Sequence, residues 1–335
     1  MIARYVRSSH FYRTCRDRYH RWRKLLFFFN DATQTFRYMR WRRGGDAVYW
    51  EISSELLFNY HKLEKGLCMP GKVRFFGYEP ACETVRLIKA WRGKGFSVND
   101  PIYIGAIETL RAYRLRINDT PPRDGAGRLY QLLEREIGIG ESCLALSTPM
   151  PRVQDHDNSL LESFSRLSLN RRSVRAFKSR TVPYELLERA VSLARLSPSA
   201  CNRQPCVVHS YAQRDQIDSL LLLQNGNRGF GHTIPLLLVI TAKSNCFFDA
   251  SERHEPYVDA GLFAMSLLFA LQAQGLSSCC LNWCAEPSVD ADAHTRGGIP
   301  AEERIIMFIA VGYAADDAKV PRSPRRDIQT ILFKH

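Results

Sequence analysis

Three guanidiniums and a hydroxyl fall within five residues at Arg171-Arg172-Ser173-Val174-Arg175, beside otherwise apolar sequence. Arginine grips phosphate through two parallel N–H bonds, and a serine hydroxyl adds another donor, so the cluster suits an anionic group. A solvated basic turn is the commoner use of such a charge run. A second cluster, Pro198-Ser199-Ala200-Cys201-Asn202-Arg203-Gln204-Pro205, places amides and a hydroxyl between two prolines. Carboxamides each offer a donor and an acceptor, which matches the edge of a heterocycle, although a rigid turn needs the same residues. Ser323-Pro324-Arg325-Arg326-Asp327 supplies a further anion-binding group, distant in sequence.

Other signatures are missing. No phosphate-binding GxxxxGK[ST] loop, HExxH or GxSxG occurs, and the glycines of Gly226-Asn227-Arg228-Gly229-Phe230-Gly231 have the wrong spacing for a dinucleotide turn. Cys279, Cys280 and Cys284 lack a second ligand pair at zinc spacing, so no metal site is expected. Cys201 has no evident base partner and reads as packing.

These residues need elements to position them. Pro183 opens a helix expected over 183–196, with Leu187, Ala190, Val191 and Ala194 on one face. Val207–Tyr211, Ile234–Thr241 and Ile305–Val311 read as buried strands. Tyr257–Gln274 reads as a helix apolar all round, suited to a central position or a subunit interface. The irregular alternation argues for α+β. Upstream, 46–147 is helical in pattern: Leu56, Leu57, Tyr60 and Leu63, then Val85 and Ile88, then Ile104, Ile107, Leu110 and Leu115 recur at helical steps. Residues 148–158, with two prolines at 149 and 151 just ahead of an apolar-poor stretch, form a linker to 159–335.

The chain has 335 residues and a formal charge of +13. Residues 1–45 hold twelve basic side chains against Asp17 and Asp31, interleaved with aromatics, so a basic arm precedes a nearly neutral body. The arm fits an anionic membrane surface, nucleic acid or a disordered start; no nucleic-acid motif accompanies it, and the membrane is the expected partner. Ten cysteines in mainly apolar surroundings suggest buried thiols in a reducing compartment, and no early apolar run is long enough to cross a bilayer. The expected location is therefore the cytoplasm, peripheral to the inner membrane face.

RRSVRAF, PSACNRQP, NGNRGFG, YVDAGLFAMSLLFALQAQGL, LNW and VPRSPRRDIQTIL occur in this order over about 160–335. This ordered set resembles the FMN-dependent nitroreductase family. The resemblance implies an α+β flavin fold and a homodimer with two FMN sites at its interface. It assigns Arg171, Arg172, Ser173 and Arg175 to the FMN phosphate and pyrimidine side, and Arg325 to the phosphate. Pro198, Ser199, Asn202 and Gln204 would approach from the partner subunit. Asn227 would reach the ribityl or ring edge, and backbone around Leu281, Asn282 and Trp283 would orient N5. Arg175 would stabilise the reduced ring's charge, and no side chain need act as nucleophile or base. The implied activity is ping-pong hydride transfer from NAD(P)H through the flavin to a small-molecule acceptor. Two alternatives stand beside it: a flavin-destroying or dehalogenating relative, and a non-catalytic flavin-binding scaffold recruited through the arm. The helical extension resembles a subgroup associated with polysaccharide biosynthesis. Within it, His61, Glu64 and Lys65 share one helix face, either capping the pocket or forming an ordinary amphipathic helix stopped by Gly66.

Overall fold

The computed structural model describes residues 10–40, 48–70, 75–118, 126–137 and 158–334. The linker assigned to 148–158 lies outside them except for Asn158. Within the basic arm, the described residues form a long helix, α1 (His10–Tyr38). Four helices follow: α2 (Tyr49–Cys68), α3 (Tyr78–Gly93), α4 (Pro101–Asn118) and α5 (Ala126–Ile137). They share a core of Leu56, Leu63, Ile88, Trp91, Leu110, Tyr113 and Ile117. Its polar tips are satisfied: the Trp91 indole donates to the Ser97 carbonyl at 3.0 Å, and the Tyr113 hydroxyl to the Phe76 carbonyl at 2.5 Å.

The helical expectation holds in this region, but the buried face of one helix and the end of another differ from the sequence pattern. The buried stripe of α4 is Tyr103, Ala106, Leu110, Tyr113 and Ile117, while Leu115 is exposed. Tyrosines take core positions there because each can bury its ring and still give its hydroxyl a partner: Tyr113 donates to the Phe76 carbonyl and Tyr103 accepts from Arg92. Gly66 does not stop α2, which continues to Cys68. It lies instead where a Cβ would overlap the Phe76 ring, so close packing rather than termination requires glycine.

The second half comprises α6 (Asn158–Asn170), α7 (Tyr184–Ala194), β1 (Cys206–Tyr211), α8 (Arg214–Leu221), β2 (Leu236–Lys243), α9 (Glu255–Ala273), β3 (Ser277–Asn282), α10 (Pro287–Gly297) and β4 (Glu303–Gly312). The sheet is antiparallel in the order β1-β2-β4-β3, and the α+β expectation holds. Every residue of β2 is buried, because both sheet faces are covered and a period-2 pattern is not required. One face packs Leu237, Val239, Phe308 and Ala310 against the α8 and α10 side. The other packs Leu238, Ile240, Ile309 and Val311 against α7 and α9. Pro183 precedes α7 rather than opening it. The three expected strands are present with ends shifted by one to two residues; β3, rich in Ser and Cys, carries no strand pattern and is absent from the expected set.

The cysteine expectation is half right. Among the described residues all are free thiols; Cys246 and Cys279 are buried, but Cys15, Cys68, Cys280 and Cys284 are exposed. Cys68 closes a helix and Cys280 sits on an edge strand, so their apolar neighbours in sequence do not enclose them.

The two halves meet along α2. Phe58 packs edge-on against Phe248, with ring centroids 4.8 Å apart. Arg40, just beyond α1, pairs with Glu55 at 2.8 Å, both side chains buried, and its backbone N–H donates to the Phe247 carbonyl.

Candidate active site

The Arg171–Arg175 segment runs alongside edge strand β3. Ser173 forms a parallel bridge with Ser278, and the Val174 N–H donates to the Ser278 carbonyl at 3.1 Å. Val174 is buried, so by strand alternation Ser173 and Arg175 project to the other side. Arg175 is exposed and Arg171 and Arg172 are half-buried. The Arg172 guanidinium donates to the Arg171 carbonyl at 2.8 Å, and that of Arg175 to the Ser173 carbonyl at 3.4 Å. No carboxylate among the described residues pairs with any of the three. Burial raises the pKa of the neighbouring Cys279 thiol, and the charges of Arg175 and Arg171 oppose this. The segment is thus a concentrated positive field beside a hydroxyl, poised for an anion.

The loop from Pro198 to Pro205 enters β1 at the opposite edge of the sheet. Cys201, Asn202 and Gln204 have φ of 52°, 56° and 52°, the left-handed region that side chains with a Cβ rarely occupy. Such residues cost of order 1–3 kcal/mol each and persist where surrounding bonds over-determine them. Those bonds are present. The Ser199 hydroxyl accepts the Gln204 N–H at 3.0 Å, and the Asp259 carboxylate accepts the Ala200 N–H at 3.0 Å. Arg203, fully buried, donates to Glu252 at 2.5 and 3.0 Å and to the Ala200 carbonyl at 3.1 Å. Its guanidinium also lies 4.6, 5.3 and 5.6 Å from the ring centroids of Phe247, Phe248 and Phe58. Pro198 and Gln204 remain exposed, and Asn202 half-buried.

Burial raises Asp259 to about 6, assisted by Glu255 and Glu252, while the Ala200 N–H and Arg203 pull the other way. Burial also pushes Glu252 upward, but the Arg203 hydrogen bond and charge outweigh it and hold the carboxyl below its ordinary range. Sequence reasoning misses the roles of Arg203, Glu252 and Asp259. Arg203 stands within the motif, but the carboxylates are about fifty residues further on and only the fold brings them to it.

The remaining expected residues divide. The Asn227 carboxamide nitrogen donates to the carbonyls of Leu221 and Gln224 at 2.8 and 2.5 Å, holding its own loop together. Leu281 is buried in the core, and Trp283 stacks on Phe308 at 4.7 Å while its indole donates to Asp290 at 2.7 Å. Their side chains therefore pack, leaving backbone as what this segment can present. The Asn282 carbonyl accepts from Gln224 at 2.7 Å. Arg325 is exposed and donates to the Ser323 carbonyl, within a wholly exposed stretch from 319 to 334. His61 and Glu64 hydrogen-bond to each other at 2.8 Å. No cluster of metal-ligating side chains occurs among the described residues.

An α+β domain with uncompensated arginines along one sheet edge and a strained polar loop at the other is the class of scaffold that fold and site define. The Nitroreductase family model matches residues 169–225 and 208–313, so the C-terminal half carries a nitroreductase family domain, with a four-stranded antiparallel sheet flanked by helices and a helical region before it. The chain is 26% identical over 191 residues to the iodotyrosine deiodinase of Haliscomenobacter hydrossis, covering 49% of this chain and 84% of that one. It is 27% identical over 195 residues to the iodotyrosine dehalogenase 1 homolog of Caenorhabditis elegans, covering 48% of this chain and 58% of that protein. Among solved structures, the FMN-dependent nitroreductase of Clostridium difficile R20291 superposes with a TM-score of 0.44 at 20% identity, covering 50% of this chain and 98% of the other.

Proposed function

We propose that the protein is an FMN-dependent oxidoreductase acting as a homodimer, with each flavin held between two copies. The nitroreductase family domain supports a flavin oxidoreductase. The observation that carries the dimeric site is the placement of the two motifs within one copy. The Pro198–Pro205 loop enters β1 at Cys206, level with Ala242 and Arg304, whereas Ser173 sits beside Ser278, level with Val311 on β4. Three strand spacings and seven residues separate these corners, roughly 28 Å at about 4.8 Å per strand and 3.4 Å per residue. One copy cannot close both around a single ring system, but two copies related by a two-fold axis can. Exposed apolar side chains on α9 (Tyr257, Val258, Leu262 and Met265) and on α6 (Leu160, Leu161 and Phe164) supply surface for such an interface.

The residues fit FMN. Arg171, Arg172 and Ser173, with Arg325, would hold the phosphate, and Arg175 would face the pyrimidine edge and favour negative charge there. Ser199, Asn202 and Gln204 of the second copy would pair with the ring's polar rim, the left-handed loop keeping them at fixed positions. The bound flavin would supply reversible two-electron transfer between a nicotinamide donor and an acceptor. The chain's own residues bind, orient and exclude water.

The purified protein should be yellow, and anaerobic NADH or NADPH should bleach it. Arg171→Ala or Ser173→Ala should lose flavin on gel filtration; full flavin occupancy in both variants would overturn the site assignment. Flavin that stays oxidised with either nicotinamide would favour the scaffold reading. A second reading, reductive dehalogenation, is favoured by the likeness to two proteins named as iodotyrosine deiodinating or dehalogenating enzymes. Release of iodide from iodotyrosine by the dithionite-reduced protein would select it.

A further inference from the structure

The long helix α1 presents a surface that neither the flavin site nor the dimer reading uses. One of its faces is docked. Asp31 and Thr35 accept from Arg304 at 2.6 and 2.8 Å, Arg23 pairs with Glu286, and Phe27 and Gln34 line the cavity of about 500 Å³ between helix and domain. At 100° per residue, Trp22, Leu25, Leu26, Phe29 and Phe36 fall within an arc of roughly 100° on the side opposite Asp31 and Gln34. These five are 55–75% exposed, and Tyr19, at 64%, extends the stripe. Arg21 borders it on one side, Arg37 on the other, and Arg18 lies one turn ahead of Trp22; all three are exposed.

We propose that this outer face of α1 lies on an anionic lipid bilayer, seating the enzyme at a membrane surface. An aromatic-rich stripe bordered by arginines is the composition that settles at the headgroup boundary, with the rings in the interface and the guanidiniums on lipid phosphates. The same residues disfavour a second copy of the helix. Pairing two such faces would bring arginines together, and neither acid of α1 lies in the stripe: Asp31 is committed to Arg304 on the docked side, and Asp17 pairs with Arg16 at 3.7 Å. Coiled-coil seams also favour branched aliphatic residues where this stripe carries Trp and Phe. The helix is anchored at its middle and its C-terminal end: Glu286 and Arg304 hold Arg23, Asp31 and Thr35, and Met39 and Arg40 are buried just past its end. The stripe is therefore held outward rather than free to fold back.

The test is co-sedimentation of the full-length protein with sucrose-loaded vesicles of phosphatidylcholine alone or with about one-third phosphatidylglycerol. Binding should be at least tenfold stronger to the anionic vesicles, since each basic group near such a surface contributes roughly fivefold. It should fall at least tenfold in 0.5 M NaCl, which requires no variant. Trp22→Ala with Phe29→Ala, and separately Arg18→Glu with Arg21→Glu, should each reduce it at least tenfold while the thermal midpoint and the mass by light scattering stay unchanged. Equal binding to both vesicle types, no binding, or undiminished binding by the variants would overturn the proposal. So would loss of the dimer in the aromatic variant, which would place the stripe between copies, and so would tight binding to a DNA duplex without vesicle binding.

Discussion

Removing the Glu252 carboxylate tests whether the strained loop is held from beneath. Arg203 is 1% exposed and donates twice to Glu252, so Glu252→Ala leaves a buried guanidinium without its counter-charge. Breaking one side of a buried pair costs about 3–5 kcal/mol. The lower end applies, because Arg203 retains the Ala200 and Cys246 carbonyls and three aromatic faces. For a domain of this size, about 3 kcal/mol lowers the melting midpoint by roughly 6–12 °C at 2–4 °C per kcal/mol. The left-handed residues Cys201, Asn202 and Gln204 lose the clamp that offsets their strain, so flavin retention should fall along with stability. Differential scanning fluorimetry and flavin absorbance after gel filtration report the two effects. Arg203→Met combined with Glu252→Gln should recover most of the melting midpoint, since a buried pair replaced by neutral groups is often harmless, but it should not recover flavin retention. A Glu252→Ala protein that melts within 2 °C of wild type and keeps its flavin would refute the reasoning.

Further outcomes follow from the same geometry. Cys201→Gly should raise stability by about 1 kcal/mol, because glycine adopts a φ of 52° without the Cβ penalty; a lower melting midpoint would contradict the strain. Gly66→Ala should destabilise by about 1–3 kcal/mol through overlap with the Phe76 ring, read as a lower urea midpoint, whereas Gly127→Ala should not, its Cβ meeting nothing. Glu303 is held at about 2: burial opposes this, but bonds from His209, Lys243 and Thr241 prevail. Its contribution to stability is therefore complete above about pH 4.5 and is lost as pH falls toward 2, a loss that Glu303→Gln should abolish. Asp259 has the opposite sign. Raised from 3.8 to about 6, it contributes stability below pH 4 that is lost as pH rises through 6. Asp259→Asn should remove that decline, and parallel pH profiles for the two proteins would refute it.

The two motifs are legible because their chemistry is local. A run of arginines with a serine, and a proline-bounded run of amides, announce themselves by residue type alone. The elements around them are legible by the helical period of α7 and by the continuous apolar runs of α9, β2 and β4. Legibility stops at β3, whose Ser and Cys carry neither alternation nor branched side chains, and at α4, where tyrosines join the buried stripe while Leu115 faces outward. It stops also at Gly66, since whether a glycine ends a helix or admits a ring depends on what packs beside it.

What only the tertiary structure decided is distance. That Arg203 meets Glu252, that Phe58 of the extension closes over the same guanidinium, and that the two site motifs stand at opposite corners of one sheet are consequences of how the chain folds back on itself. The sequence by itself determined which groups could hold an anion and which could read a heterocycle. The order β1-β2-β4-β3 determined that one copy cannot bring them together. The physical reason is that side-chain chemistry is written residue by residue, whereas the approach of residues fifty or a hundred positions apart is set by strand pairing and core packing.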